Sequence, residues 1–124
     1  MACGSFHIGF TNKLYNIFMC GLNEEKQCGI DNNKNWIDKP LKLSLNNDIS
    51  NIKCGPHYTI LTTNDKQFYS FGDNSQKQCL INNDLNNIST PTQINLNKLK
   101  KSLNSNGNIV DLIPSINQTF IVQE

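Results

Sequence analysis

Apolar residues come in short dense runs, separated by polar stretches rich in turn formers. Ile49-Ser-Asn-Ile-Lys-Cys54 reads as a short half-apolar strand, and Gly55-Pro56 breaks it. His57-Tyr-Thr-Ile-Leu-Thr-Thr63 is rich in the β-branched and aromatic residues that suit a pleated surface. Asn64-Asp65 is a turn signal. Gln67-Phe-Tyr-Ser-Phe71 is the next strand, closed by Gly72, and a polar loop runs from Asp73 to Ser89. Pro91-Thr-Gln-Ile-Asn-Leu96 is a fourth, weaker strand, with proline acceptable at a strand start or edge. Upstream, His7–Thr11, Tyr15–Cys20 and Pro40–Leu45 have the same layout around a second Asn-rich loop. The runs do not alternate cleanly. Phe68, Tyr69 and Phe71 crowd together, as do Ile17, Phe18, Met19 and Cys20, which is how strands covered on both faces look.

The shared layout is an internal repeat. Residues 2–45 slide onto residues 53–96 at a constant offset of 51 without a gap, and 14 of the 44 pairs are identical. Asn supplies three of them and the composition is Asn-biased, but the matched pairs Cys3/Cys54, Gly4/Gly55, Gly21/Gly72, Gln27/Gln78, Cys28/Cys79 and Pro40/Pro91 do not come from that bias. A fixed period of this size means one supersecondary unit used more than once and stacked, so that neighbours bury each other's faces. Four strands in about 50 residues is the unit of a propeller blade. A third copy begins and stops: Ile109-Val-Asp-Leu112 matches Ile49-Ser-Asn-Ile52, and Gln118-Thr-Phe-Ile-Val122 overlays Tyr58-Thr-Ile-Leu-Thr62 at an offset of 60. Pro114-Ser115 replaces the Cys-Gly pair there. The nine extra residues fall in Asn97–Gly107, which reads as an exposed loop, although Leu96, Leu99 and Leu103 have the spacing of a two-turn amphipathic helix.

Length allows one domain, burying roughly two thirds of the unfolded surface. The chain has 21 Asn and 11 Lys, no Arg and a single Ala, a bias pointing to an AT-rich genome rather than to an activity. A net charge of +1 gives no strong field toward nucleic acid or acidic lipid, and the missing Arg removes the best bidentate reader of guanine and phosphate. No specific nucleic-acid role and no membrane role are therefore expected. The apolar run Leu14–Leu22 has Asp65–Asp73 as its repeat partner, so it reads as a buried strand rather than a targeting signal. Five cysteines, an odd number with no C-x-x-C spacing, fit a reducing intracellular compartment, cytoplasmic or nuclear.

Ala2-Cys3-Gly4-Ser5-Phe6-His7 resembles the Cys-Gly-x-x-His signature of the regulator of chromosome condensation repeat. Phe18-Met19-Cys20-Gly21-Leu22-Asn23, followed by Gln27-Cys28-Gly29, is similar to that family's aromatic-x-x-Gly-x-Asn and Gly-Gln-Leu-Gly stretch. The second copy carries Ile52-Lys53-Cys54-Gly55, Tyr69-Ser70-Phe71-Gly72-Asp73-Asn74 and Lys77-Gln78-Cys79-Leu80. Departures are Tyr58 at the position of His7, with His57 one place early, Lys26 and Lys77 where the family prefers Gly, and Cys28 and Cys79 where it prefers Leu. The resemblance implies a β-propeller, normally seven-bladed. Two repeats and a fragment exclude a closed ring from one chain.

Most residues that invite a chemical reading have a structural one. Gly4/Gly55 and Gly21/Gly72 sit where a side chain would clash or φ is positive, since neither phosphate-binding glycine motif is present. Asn23/Asn74 and Gln27/Gln78 tie the loop to backbone groups through their amides. Cys3 with His7 and Cys54 with His57 have ligand-like spacing, but repeat-equivalent residues should point the same way in successive blades, not at one metal. His7 is expected as a hydrogen-bonded structural histidine. Glu24, Glu25, Asp31 and Asp38 lie in loops as solvated surface. Trp36, in a loop and without a counterpart in the second copy, is the exposed aromatic candidate for a contact.

The expectation is an all-β partial β-propeller, about two four-stranded blades plus a fragment. It forms a single repeat array over 1–124: copy one 2–52, copy two 53–107 and a degenerate copy 108–124. Its function is expected to be a non-catalytic protein–protein interaction module. No catalytic, cofactor-binding or metal-ligating residue is assigned. The partner is a protein, a small GTPase or further propeller repeats, with self-association through the open ends. Neither end looks like a cap, and both end faces are expected to carry aromatics such as Tyr58, Phe68 and Phe71. The resemblance also raises two alternatives. One is guanine-nucleotide exchange on a Ran-like small GTPase, for which the loops hold no inserted hairpin to act as a wedge. The other is a regulatory propeller segment of a ubiquitin ligase or kinase.

Overall fold

The computed structural model describes residues 1–124. Strands β1 (Ala2–Cys3), β2 (His7–Thr11), β3 (Ile17–Leu22) and β4 (Trp36–Lys42) form one antiparallel meander, blade one. Strands β5 (Ile49–Cys54), β6 (Tyr58–Thr63), β7 (Phe68–Asp73) and β8 (Asn87–Gln93) form blade two in the same order. Helix α1 (Leu96–Ser102) follows, then the hairpin of β9 (Ile109–Pro114) and β10 (Thr119–Gln123). The fold is thus a partial β-propeller, two four-stranded blades and the first half of a third.

The 51-residue offset holds down to irregularities. Gly21 pairs with Ile37 and Met19 with Leu41, while Gly72 pairs with Ile88 and Ser70 with Thr92, so the last strand bulges at the same place in both blades. The bulges hold Pro40 and Pro91. Both strands therefore start earlier than the proline-based reading, at Trp36 and Asn87. A proline survives there because each strand is an edge of its sheet and the bulge removes the need for its N–H. Nor does Gly72 close its strand: β7 runs through it to Asp73. Gly21 and Gly72 have φ of +108° and +110°, and a Cβ on either would lie 2.4 Å from Phe6 O or 2.6 Å from His57 O. The chain crossing from β1 to β2, and from β5 to β6, passes that close.

Each blade has an upstream face and a downstream face, by chain order. His7, Gly9, Ile17 and Met19 lie downstream in blade one; a Cβ on Gly9 would sit 3.4 Å from Ile52 of blade two. Tyr58, Ile60, Phe68 and Ser70 are their equivalents in blade two. The expected two-sided burial is met only where a neighbour stands on both sides. In β6, five of six residues are buried, whereas β2 and β3 of blade one hold only two buried residues each. Tyr58, Phe68 and Phe71 are fully buried inside blade two rather than on an end face, correcting the expectation.

The Asn97–Gly107 insertion supplies α1. Asn95 caps it by accepting from Lys98 N, Lys100 and Lys101 occupy its last turn, and Leu96 and Leu99 pack against the core. Leu96 and Lys100 line a cleft with Phe68 and with Ile109 and Asp111 of β9. The helix and the β9–β10 hairpin thus share the downstream face of blade two, while Ile113, Phe120 and Val122 of the hairpin stay exposed.

Candidate functional site

The buried polar groups build two equivalent joints between blades. In the first, the Thr59 hydroxyl donates to Gln27 O at 2.9 Å, and its oxygen lies 2.9 Å from His7 Nε2. Thr59 has one proton, so His7 donates through Nε2–H and its Nδ1 carries the lone pair. That Nδ1 is buried without a partner. Burial first, then the nearby His57, lowers the His7 pKa from 6.5 to about 4, against a smaller opposing effect from the Tyr58 backbone. In the second joint Thr119, the third-copy equivalent of Thr59, donates to Gln78 O at 2.6 Å. Tyr58 stands in the place of His7: its hydroxyl donates to Gln118 O at 2.7 Å and accepts from Ser115 N at 2.8 Å. A Lys53–Asp111 ion pair adds to this joint at its exposed margin.

The long loop between the third and fourth strands of each blade is held from inside. Asn23 Oδ1 accepts from Cys28 N at 3.1 Å, and its Nδ2 donates to Ile30 O at 2.9 Å; Asn74 treats Cys79 N, Ile81 O and Leu85 O alike. Gln27 Oε1 and Gln78 Oε1 accept from Glu25 N and Gln76 N, each at 2.9 Å. These four amides do what the sequence implied. Lys26 and Lys77, at the family's glycine position, have left-handed φ of 64° and 60°, and each amine reaches back to a loop carbonyl, Asn32 O or Asn83 O.

The thiols are built for packing. Cys28 and Cys79 are fully buried and donate to the Leu22 and Asp73 carbonyls at 3.3 Å. Burial pushes both up to about 12 and Cys54 up to about 11, far from the range of a nucleophilic thiolate. All five cysteines are free. No three of the His, Cys, Asp and Glu side chains converge, so neither Cys3 with His7 nor Cys54 with His57 belongs to such a group.

What remains open is the upstream face of blade one. Ile8 stands opposite Cys20 and next to Cys3, and Phe10 stands opposite Phe18. The Phe10 and Phe18 rings stack at 5.7 Å and 15°. Beside them a shallow cleft is lined by Phe6, Ile8, Cys20 and Trp36. Trp36 is exposed as expected but begins β4 instead of lying in a loop. The sequence singled out Trp36 alone. The rest of the patch was missed, although the signal was present: Ile8, Phe10 and Phe18 occupy positions where blade two has Thr59, Leu61 and Tyr69.

Fold and joints define an arc of two propeller blades and the first two strands of a third. No family model matches the sequence, and no curated protein matches it. Solved structures do. Human WBSCR16 is 17% identical with a TM-score of 0.78, covering 98% of this chain and 30% of that one. Yeast RCC1 (Prp20), in a structure with Kap60 bound, is 20% identical with a TM-score of 0.78, covering 97% of this chain and 28% of that one. Prp20p from Saccharomyces cerevisiae, whose binding to Gsp1p and histones is described with its structure, is 17% identical with a TM-score of 0.77, at 98% and 29%. The chain therefore has the RCC1-type propeller-blade fold and spans about three tenths of the length of these proteins. No helix is long and apolar enough to cross a membrane.

Proposed function

We propose that the chain is a non-catalytic protein–protein interaction module working in an intracellular, reducing compartment. One observation carries this reading. Large apolar side chains gather at the uncovered upstream face of blade one, where Phe6 is 63% and Trp36 53% exposed. Several groups that could do chemistry hold structure: His7 Nε2 meets Thr59, the Asn23 and Asn74 amides and the Gln27 and Gln78 Oε1 atoms hold their loops, and the Cys28 and Cys79 thiols meet backbone carbonyls. Exposed aromatic patches mark interaction sites more often than catalytic ones.

Prp20p binds Gsp1p and histones, so a small GTPase is the natural rival partner. The chain spans only 29% of that protein. The β3–β4 and β7–β8 loops, held from inside by Asn23 and Asn74, keep the 51-residue spacing and carry no inserted hairpin to serve as a wedge. Release of a fluorescent guanine nucleotide from a Ran-type GTPase, with and without the chain, tests the reading. Release is expected to stay within twofold. A tenfold acceleration, a barrier change of about 1.4 kcal/mol, would overturn the non-catalytic assignment.

A further inference from the structure

The first joint is stitched at the rim where the β2–β3 turn meets the start of β5: Ile49 N donates to Tyr15 O at 3.3 Å. The equivalent bond at the second joint would run from Ile109 N to Lys66 O, and it is not formed. Nine extra residues lie between β8 and β9 there, in the segment that carries α1. The rim stays open as a cleft of about 840 Å³ between α1, the β6–β7 turn and β9. Its apolar side chains are Phe68, Leu96, Ile109 and the exposed Val110. Blade two adds the Thr62 hydroxyl and the Asn64 amide, neither of them used in a hydrogen bond within the chain. Four charged side chains line the cleft. Lys66 stands on the β6–β7 turn and Lys100 in the last turn of α1. Asp111 is taken by Lys53 in an ion pair, which leaves Glu124 against two cations. Lys101, beside Lys100, lines the adjoining hollow. Lys66 Nζ has no partner, and Lys100 Nζ reaches only Asn108 Oδ1, at 3.4 Å.

We propose that this cleft binds an extended peptide segment in which acidic side chains flank an apolar one. The proposal rests on the reading of the chain as an interaction module and gives that module a second surface, on the rim. Three features favour such an occupant. First, two cations from separate elements, neither neutralised, suit carboxylates of the incoming segment, and complementary charge selects partners by sign. Second, Ile109 and Val110 offer an apolar footing between them, while the free Thr62 and Asn64 side chains can meet the backbone N–H and C=O groups that an extended segment brings with it. Third, a nucleotide fits worse. The one aromatic in the cleft, Phe68, is 1% exposed and offers no face on which a base could stack. The chain has no Arg to grip a phosphate through two parallel hydrogen bonds. The cleft is a product of the insertion: Lys100 and Leu96 come from α1, and blade one has neither a helix nor a cleft at the corresponding rim. Inserted segments on a repeated scaffold are where binding residues concentrate.

Fluorescence anisotropy of the purified full chain with a short labelled peptide alternating Glu and Leu, and with its Gln–Leu counterpart, tests this at about 50 mM salt, where surface charges are only partly screened. The Glu–Leu peptide is expected to bind at least about tenfold more tightly than the Gln–Leu peptide. Lys66→Glu and Lys100→Glu should each weaken it by about fivefold or more, since each reversal removes an attraction and adds a repulsion. Lys39→Glu, on the exposed edge strand β4 of blade one, makes the same change in net charge away from the cleft and should stay within about twofold of wild type. Should Lys100→Glu lose its cooperative melt, Lys100→Gln takes its place. No binding of the Glu–Leu peptide, equal binding of the two peptides, cleft variants that bind like wild type, or an equal loss in Lys39→Glu would each overturn the proposal. So would displacement of the peptide by inorganic phosphate at the peptide's own concentration, which would make the cleft a simple anion site. None of these lysines belongs to the blade-one aromatic patch, and none of these results touches the exchange assay, so failure here is distinguishable from failure of the module reading.

Discussion

Lowering the pH from about 7.5 to about 4.5 should loosen the joint between blades one and two through His7. In the folded chain His7 gives its Nε2–H to Thr59, and its second nitrogen faces buried space with no acceptor. Burial disfavours the added charge more than the Tyr58 backbone favours it, and the nearby His57 adds to the effect, so the folded pKa falls from 6.5 to about 4. The unfolded chain keeps the ordinary value. Stability is complete above about pH 6.5, is lost as the unfolded state takes up a proton the native state refuses, and levels off below about pH 4. At about 1.4 kcal/mol per unit the whole shift is worth about 3 kcal/mol, and by about pH 4.5 some 2.5 kcal/mol of it is gone. For a chain of this size that lowers the melting temperature by about 10 °C. Other groups titrate over the same range, so the measurement is a difference: urea melts of wild type and His7→Gln at both pH values. Gln keeps an N–H for Thr59 and has no proton to gain. Wild type should lose about 2.5 kcal/mol more than the variant. Equal losses would mean that His7 titrates freely, and that the buried Nδ1 lone pair is not as described.

Two further perturbations test the joints and the thiols. Gly29 has φ +68°, and a Cβ there would lie 2.9 Å from the Phe71 ring of the next blade; Gly29→Leu should cost about 2–4 kcal/mol in a denaturant melt through backbone strain and overpacking, and a neutral result would mean that the blades are not this closely apposed. Cys28 and Cys79, buried and pushed up to about 12, should resist a thiol reagent at about pH 8 until the chain unfolds, while exposed Cys3 reacts at once; five thiols labelled at one rate in the native protein would refute the packing.

The repeat was legible because a stacked unit must place the same atoms at the same points each time. Asn23 and Asn74 make the same bonds because the same loop has the same orphaned backbone groups, so identity at an offset of 51 was already a statement about geometry. Strand boundaries were less legible. Pro40 and Pro91 read as strand starts, and only the sheet order shows that they sit in bulges on edge strands. Burial was least legible, because it depends on the neighbour and not on the residue. Phe68 and Phe71 carry no mark distinguishing them from Phe10 and Phe18; the former lie in a blade covered on both sides, the latter in a blade covered on one.

Gly29 and Leu80 show where the difference between copies becomes informative. They are repeat equivalents with the same left-handed backbone, φ +68° and +59°. Gly29 has to be glycine because Phe71 of the next blade fills the space its side chain would need. Leu80 accepts a conformation that costs a non-glycine residue about 1 kcal/mol, yet its side chain packs against the core. At the second joint the helix α1 packs where the chain runs on from blade two. Leu80 lines a cleft with Ile81 and with Lys98, Leu99 and Ser102 of α1. Leucine and the α1 leucines thus occupy ground that an aromatic side chain holds at the first joint. The same exchange runs through the latch, where Tyr58 reaches the hairpin backbone at Gln118 and Ser115 while His7 stops at a hydroxyl. The second joint thus departs from the first residue by residue where α1 and the β9–β10 hairpin take part in it, and Ile8, Phe10 and Phe18 set the upstream face of blade one apart from its equivalent in blade two, which holds Thr59, Leu61 and Tyr69.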